Sequence, residues 1–244
     1  MGLLRLAVLG SPAVFHNGSR LSFALRKAQA LLLYLAVEGG LHPRSKPAAL
    51  LWPDSEPVDV RKNLRNALSL LADVDAPPAQ HSHPLSEREL LGLNPRAPLE
   101  LDLDVVQQAW KAVQGLSTAP TGPQRTALVA HVQHALALVR GPFLDGFWLR
   151  EEAPFDAWVR VQQHQWQVRV QLLCDRLSCW QEASGEWEQA KATLTRWLAL
   201  DALAEEAYRR LMRVHLAQGE MSTALQVYAT CWARLADRVN RKAR

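Results

Sequence analysis

The sequence predicts a mainly α chain with a small β component, in two parts. Short strands, three helices and a hairpin come first, and helices alone follow. Two observations carry this. Apolar residues alternate near the start and then recur at helical spacing from Leu25 onward. Farther on, a six-residue pattern returns after 34 positions, the mark of stacked helical pairs. At 244 residues there is material for two cores, and 48% apolar with 21% charged residues is a globular mixture, not a disordered one.

Residues 3 to 9 read as a strand, which Gly10-Ser11-Pro12 breaks. Ala13-Val14-Phe15 resumes in extended form, and His16-Asn17-Gly18-Ser19 supplies turn residues. Leu21-Ser22-Phe23 would complete a small antiparallel sheet. Ala28, Leu31, Leu32, Leu35 and Ala36 then fall on one side of a helix that Gly39-Gly40 ends. A second short helix follows Pro43 on Ala48, Leu51 and Trp52, and Pro53-Asp54 stops it. A third spans roughly Val58 to Asp73, with Val60, Leu64, Ala67, Leu68 and Leu71 inward. Asp75 to Pro84 is a loop by composition. Leu85-Ser86 and Leu90 to Leu93 are extended pieces around the charged turn Glu87-Arg88-Glu89. Strands, three helices and a hairpin, in that order, are an N-terminal winged helix, placed at residues 1–104.

The remainder, residues 105–244, reads as an all-α, tetratricopeptide-like helical domain. Helices are expected near 104–115, 124–139, 154–183, 187–200, 203–218 and 221–239. Gly185-Glu186-Trp187-Glu188-Gln189-Ala190 recurs as Gly219-Glu220-Met221-Ser222-Thr223-Ala224, an offset of 34 residues. The same offset pairs Leu177 with Leu211, Leu194 with Tyr228 and Leu198 with Trp232. Each glycine is expected at a tight turn and each alanine where helices approach closely. The turn-rich apolar connector from Gly141 to Trp148 is expected to dock one helical layer on another.

The third front helix holds the main functional candidates. A helix that reads DNA buries one face and offers donors to phosphates and base edges on the other. Here the offered side holds Arg61, Lys62, Arg65, Asn66 and Ser69, and no acid occurs between Val60 and Ala72. Arginine suits guanine and asparagine suits adenine; phosphate contact suits any of them equally. A solvated amphipathic helix is the plain alternative. Arg88, at the hairpin turn, is a candidate for the minor groove or the backbone, although Glu87 and Glu89 flank it. Arg44 and Lys46, before the second helix, are candidates for phosphate at a helix start, with solvent exposure as the alternative.

Net charge is only +4, but it is unevenly spread: residues 1–72 hold nine Lys/Arg against four Asp/Glu, and residues 73–104 two against seven. No phosphate-binding, hydrolase or dinucleotide glycine motif occurs, so an enzyme is not expected. His81-Ser82-His83 and His131-x-x-His134 lack a zinc-type ligand set, and Cys174, Cys179 and Cys231 suit neither a disulfide framework nor zinc. No metal or cofactor is expected. The nine tryptophans, among them Trp110, Trp158, Trp166, Trp180, Trp187, Trp197 and Trp232, are expected mainly between helices, with an aromatic-lined peptide groove as the alternative. The longest apolar run, roughly Ala30 to Val37, is far short of the ~20 residues of a membrane span, and no signal peptide opens the chain. No membrane association and a cytoplasmic location are expected.

Several stretches taken together resemble the SARP-type regulators, the antibiotic regulatory protein family of bacterial transcriptional activators. In the front part they are Leu6 to Gly10, Arg26-Lys27 to Leu35-Ala36, Leu50-Leu51-Trp52-Pro53-Asp54 and Lys62 to Leu71. Ser86 to Leu90 and on to Leu103-Asp104 resemble the family's wing and domain exit. Gly185 to Ala190, Leu198 to Asp201, Glu205 to Tyr208 and Ala224 to Tyr228 resemble its bacterial transcriptional activator domain. The resemblance implies an OmpR-type winged helix on direct-repeat promoter DNA, as a homodimer or tandem pair. It also implies a helical domain that supports assembly and contacts RNA polymerase. Arg61, Lys62, Arg65, Asn66 and Arg88 match the family's DNA-contacting positions. The chain departs from the family at Ala202, where proline is usual, and in the long loop from Asp75 to Pro84. Its end at Asn240 to Arg244 lacks the usual closing segment, which allows the front part of a longer regulator. A module whose winged helix no longer binds DNA and whose repeats hold a protein is the second reading, kept open by eleven basic against eleven acidic residues over 1–104.

Overall fold

The computed structural model describes residues 2–72, 84–87, 89–116, 121–150 and 152–242. His81, His83 and Arg88 lie outside them. The elements run β1 (Leu4–Ala7), β2 (Ala13–His16), β3 (Ser19–Arg20), α1 (Arg26–Glu38), β4 (Leu41–Pro43), α2 (Ser45–Leu51), α3 (Pro57–Ala72), β5 (Pro84–Glu87), β6 (Leu90–Leu93) and β7 (Leu99–Leu101). Then come α4 (Asp102–Val113), α5 (Gly122–Leu138), α6 (Ala153–Ala183), α7 (Trp187–Leu200), α8 (Glu205–Ala217) and α9 (Met221–Lys242). This is the expected architecture: mainly α with a small β component, a winged helix followed by a tetratricopeptide-like helical part. None of the described helices is long and apolar enough to cross a membrane.

Packing divides the chain into two compact units, Met1–Val105 with Leu138–Trp166, and Val106–Ala137 with Gln167–Arg244. The sequence boundary at 104/105 is therefore not where the packing divides, because residues 138–166 cluster with the front.

In the first unit, a four-stranded sheet has the order β3-β2-β1-β7. Leu4 and Leu6 face the core at 1% and 0% exposure, while Arg5 turns outward over the Phe15 ring. Asn17 and Gly18, both at positive φ, make the two-residue turn between β2 and β3 that matches the strands' twist. The third strand is Ser19–Arg20 and not Leu21–Phe23: so short a turn obliges pairing to begin at once, and the chain leaves the sheet beyond Arg20. β7 joins parallel to β1. Asp102, just beyond β7, accepts hydrogen bonds from the Val8 and Leu9 N–H groups at 2.7 and 2.9 Å.

The Gly141–Trp148 connector, expected to dock one helical layer on another, also extends this sheet. Phe143 bridges Leu9 in antiparallel fashion, Leu144 N–H donates to Val8 at 2.8 Å, and Gly10 N–H donates to Pro142 at 2.9 Å. The backbone groups left open beyond β1 need partners, and the connector supplies them. Its aromatic residues then join α6: Phe143, Phe155 and Tyr34 surround Trp158, with ring centroids 5.3 to 5.6 Å apart.

The second unit contains the repeat. Gly185 and Gly219 both adopt positive φ, at 69° and 77°. After each, the next residue's N–H reaches back five residues, Glu186 to Gln181 and Glu220 to His215, both at 2.9 Å. These are matching helix terminations, in which glycine takes the left-handed position and satisfies the last carbonyls. Ala190 and Ala224 are buried, as close helix approach requires. Arg210, from α8, ties α6 through Asp175 at 2.7 Å and holds Glu206 at 3.0 Å.

Candidate nucleic-acid interface

α3 begins where Trp52 to Glu56 turns the chain. Pro57 sits at the first helical position, where its missing N–H costs nothing, and Asp59 lies in the positive first turn. Leu64, Ala67 and Leu71 are 4%, 0% and 3% exposed, so the helix is seated by this row. It packs on α1, whose Leu31, Leu32 and Leu35 are buried, and on β5. Arg61, Lys62, Arg65, Asn66 and Ser69 are all exposed on the other side. At 100° per residue they span roughly 140° of the helix surface.

The wing sheet stands beside α3 in the order β4-β6-β5. Sequence reading missed β4. Leu41-His42-Pro43 is a three-residue strand whose partners on β6 lie some fifty residues later, so nothing local announces it. Gly92 of β6 lies against the backbone of the α1–β4 turn: a Cβ there would come within 2.3 Å of the Gly40 carbonyl oxygen. That close approach explains glycine within an otherwise apolar strand.

The basic side chains of this unit differ in what holds them. Lys27 pairs with Glu152 and lies over the Trp52 ring. Arg26 stacks on Phe147 and Trp148 at 5.1 and 5.2 Å. Lys46, inside the seven-residue α2 and not before it, approaches Glu38 at 3.7 Å. Hydrogen bonding to the Tyr34 hydroxyl, with help from Glu38, raises its ammonium above the ordinary lysine value and keeps it charged. Arg44 immediately precedes α2 and is half-buried; its N–H donates to the Glu89 carbonyl at 2.9 Å. By contrast, none of Arg61, Lys62 and Arg65 is held in an ion pair among the described residues.

The support beneath this surface was not legible in sequence. Glu38, at the end of α1, accepts from Trp158 Nε1 at 2.8 Å and Gln162 Nε2 at 3.3 Å, across 120 and 124 residues. With Lys27 and Glu152 at the opposite end, α1 is fastened at both ends to the start of α6 or the residue before it. α3 rests on α1, so its orientation is fixed by groups far away in sequence. The one local signal was Trp158 itself, expected between helices and found at the centre of the aromatic cluster.

Comparison with known proteins places these features. The profile of the bacterial transcriptional activator domain matches residues 101–243. No curated protein matches the chain in sequence. Among solved structures, Mycobacterium tuberculosis EmbR in complex with a low-affinity phosphopeptide superposes with a TM-score of 0.72 at 18% identity. The match covers 97% of this chain and 61% of that one, so the chain spans about three fifths of the EmbR structure's length.

Proposed function

The chain belongs to the bacterial transcriptional activator domain family, a family of transcriptional regulators, and on that footing we propose that it activates transcription by binding promoter DNA through α3. One observation carries this reading. Beyond Asp59 in its first turn, α3 offers a wide polar face without acids, whose three cations have no ion-pair partner among the described residues, while neighbouring Lys27 and Lys46 are paired. An uncommitted cationic face on a helix seated by its opposite side suits the major groove. Arg61 and Arg65, one turn apart, reach base edges or phosphates; Lys62, Asn66 and Ser69 form the adjacent row. Arg44 and Lys46 at α2 take backbone phosphate, and Arg88, between β5 and β6 in sequence, follows the family's pattern. Direct-repeat sites, a homodimer or tandem pair on them, and RNA polymerase contact through the helical part complete the proposal. No cofactor or metal enters it.

The test is a pull-down of sheared host DNA with the full chain, sequenced and searched for a repeated motif, followed by affinity on that motif. Binding should weaken steeply with salt. Arg61→Ala with Arg65→Ala should reduce affinity at least a hundredfold and flatten the salt dependence by roughly one unit of slope for each phosphate no longer neutralised. A folded double variant that binds as well as the parent refutes α3 as the reading helix. Absence of any enriched motif moves the function to protein interaction.

A further inference from the structure

The chain leaves the four-stranded sheet beyond Arg20, crosses through Leu21 to Phe23 and enters α1 at Arg26. The Leu21 N–H donates to the Val14 carbonyl at 2.8 Å, which starts the crossing close against β2. The connector comes to the same place with Gly146 and Phe147. Between these segments lies a cleft of about 430 Å³, within the ~300–1,000 Å³ of small-molecule sites. The buried part of its lining is apolar: Pro12, Ala13, Val14 and Phe147.

The exposed part carries charge of one sign. Arg20 and Arg26 line the cleft beside Ser22 and half-buried Gln29, and no Asp or Glu is among the lining residues. Asp145 precedes Gly146 in sequence, but its carboxylate lies toward Gly141. Among the described residues neither Arg20 nor Arg26 is held in an ion pair. Arg26 is held by rings instead, over Phe147 and exposed Trp148, which leaves its N–H groups for a ligand's oxygens. A third guanidinium, that of Arg140, donates to the Ser11 carbonyl at 3.1 Å at the rim.

We propose that this cleft binds a small organic anion, an aromatic body bearing a carboxylate or a phosphate. A recess with apolar walls and cations of one sign concentrates counter-ions, so the lining sets the sign of the ligand. Each guanidinium offers a planar fork of donors that matches two oxygens of either head group. The apolar lining and the Trp148 ring suit a planar body. A duplex is met by side chains that project, as on α3; here the charges border a recess, and a small molecule fits it. α1 and the connector both wall the cleft, so a bound anion ties one to the other. The proposal goes beyond DNA binding and does not depend on it.

The probes are para-fluorobenzoate and para-fluorophenyl phosphate, titrated with the full chain at low salt and followed by fluorine NMR, with para-fluorobenzamide as the neutral control. Saturable binding of at least one anion is expected, and the tighter of the two identifies the head group. Arg20→Gln with Arg26→Gln should weaken it roughly tenfold or more. Both positions are exposed, so circular dichroism and melting of the variant should match the parent. Arg20→Gln alone breaks no ring contact of Arg26 and should still weaken binding roughly threefold. Hydrogen exchange under saturating anion should slow in peptides covering residues 20–29 and 141–148. Four results overturn the proposal: saturation by neither anion, equal binding of the amide, parent affinity in the double variant, or protection confined to other segments.

Discussion

Replacing Asp102 with alanine removes the acceptor of two buried backbone donors, and the cost can be worked from the geometry. The carboxylate is 8% exposed and takes the Val8 and Leu9 N–H groups at 2.7 and 2.9 Å. A hydrogen bond to a charged group contributes about 1.5–3 kcal/mol. Against the two stands the burial of the carboxylate, which costs several kcal/mol before pairing and is relieved in the variant. The net loss in Asp102→Ala is about 2–4 kcal/mol, which converts to roughly 30- to 1,000-fold faster opening. Both N–H groups reach the same oxygen, Oδ2, so Asp102→Asn keeps an acceptor for them and the volume, and should cost less than Asp102→Ala. Hydrogen exchange resolved on peptides covering residues 3–9 reads this locally and needs no two-state assumption for a chain of two units.

The pH dependence adds an independent sign. Burial raises the Asp102 pKa, outweighing the Leu9 and Val8 hydrogen bonds and the charge of Arg140. A carboxyl that holds its proton more tightly when folded contributes most below its unfolded pKa, and that contribution is lost as pH rises through the raised folded value. The protection of wild type over Asp102→Asn, corrected for intrinsic exchange, should therefore shrink from the ordinary carboxylate range upward. Exchange in Asp102→Ala less than about threefold faster, or a wild-type advantage that grows with pH, refutes the reasoning.

Two further predictions rest on glycines. Gly185→Ala and Gly219→Ala each force a side chain into the left-handed region, with no close clash at either position, so each should cost about 1–2 kcal/mol and the two should add in a melting series. Substantial non-additivity would show that the two turns do not open independently. Gly92→Ala meets the Gly40 carbonyl and must separate β4 from β6; loss of exchange protection in both strands is expected with the α6–α9 helices unchanged, and an intact sheet would disprove the close approach.

The readable parts of this molecule were those fixed by neighbours in sequence. Helix limits in the rear part came within about two residues at most ends because Gly185 and Gly219 announce them through the left-handed region. The polar face of α3 was legible for the same reason: Leu64, Ala67 and Leu71 define the opposite side at helical spacing. What failed depended on partners brought from afar. β7 pairs parallel to β1 across nearly the whole front part, and no alternation pattern names a parallel partner. The connector at Phe143 was expected to dock helical layers; nothing local announces that its backbone also bonds to Val8 and Gly10. Trp232 shares the apolar register of Leu198 without its burial, because periodicity reports that a face is apolar and not whether a neighbour is present to cover it.

The interleaving of the two compact units has a consequence for the order of events at the ribosome. The front unit needs residues 138–166, so it remains incomplete while the 61 residues after Val105 are made. At about 5–20 residues per second that is a delay of roughly 3–12 s. During it, the open carbonyls and N–H groups past β1 and the apolar faces of Tyr34 and Leu9 await the connector and Trp158. Synthesis must pass well beyond the wing before α3 gains its final seat, so a nascent chain stalled near residue 105 exposes an unfinished sheet to any holdase within reach.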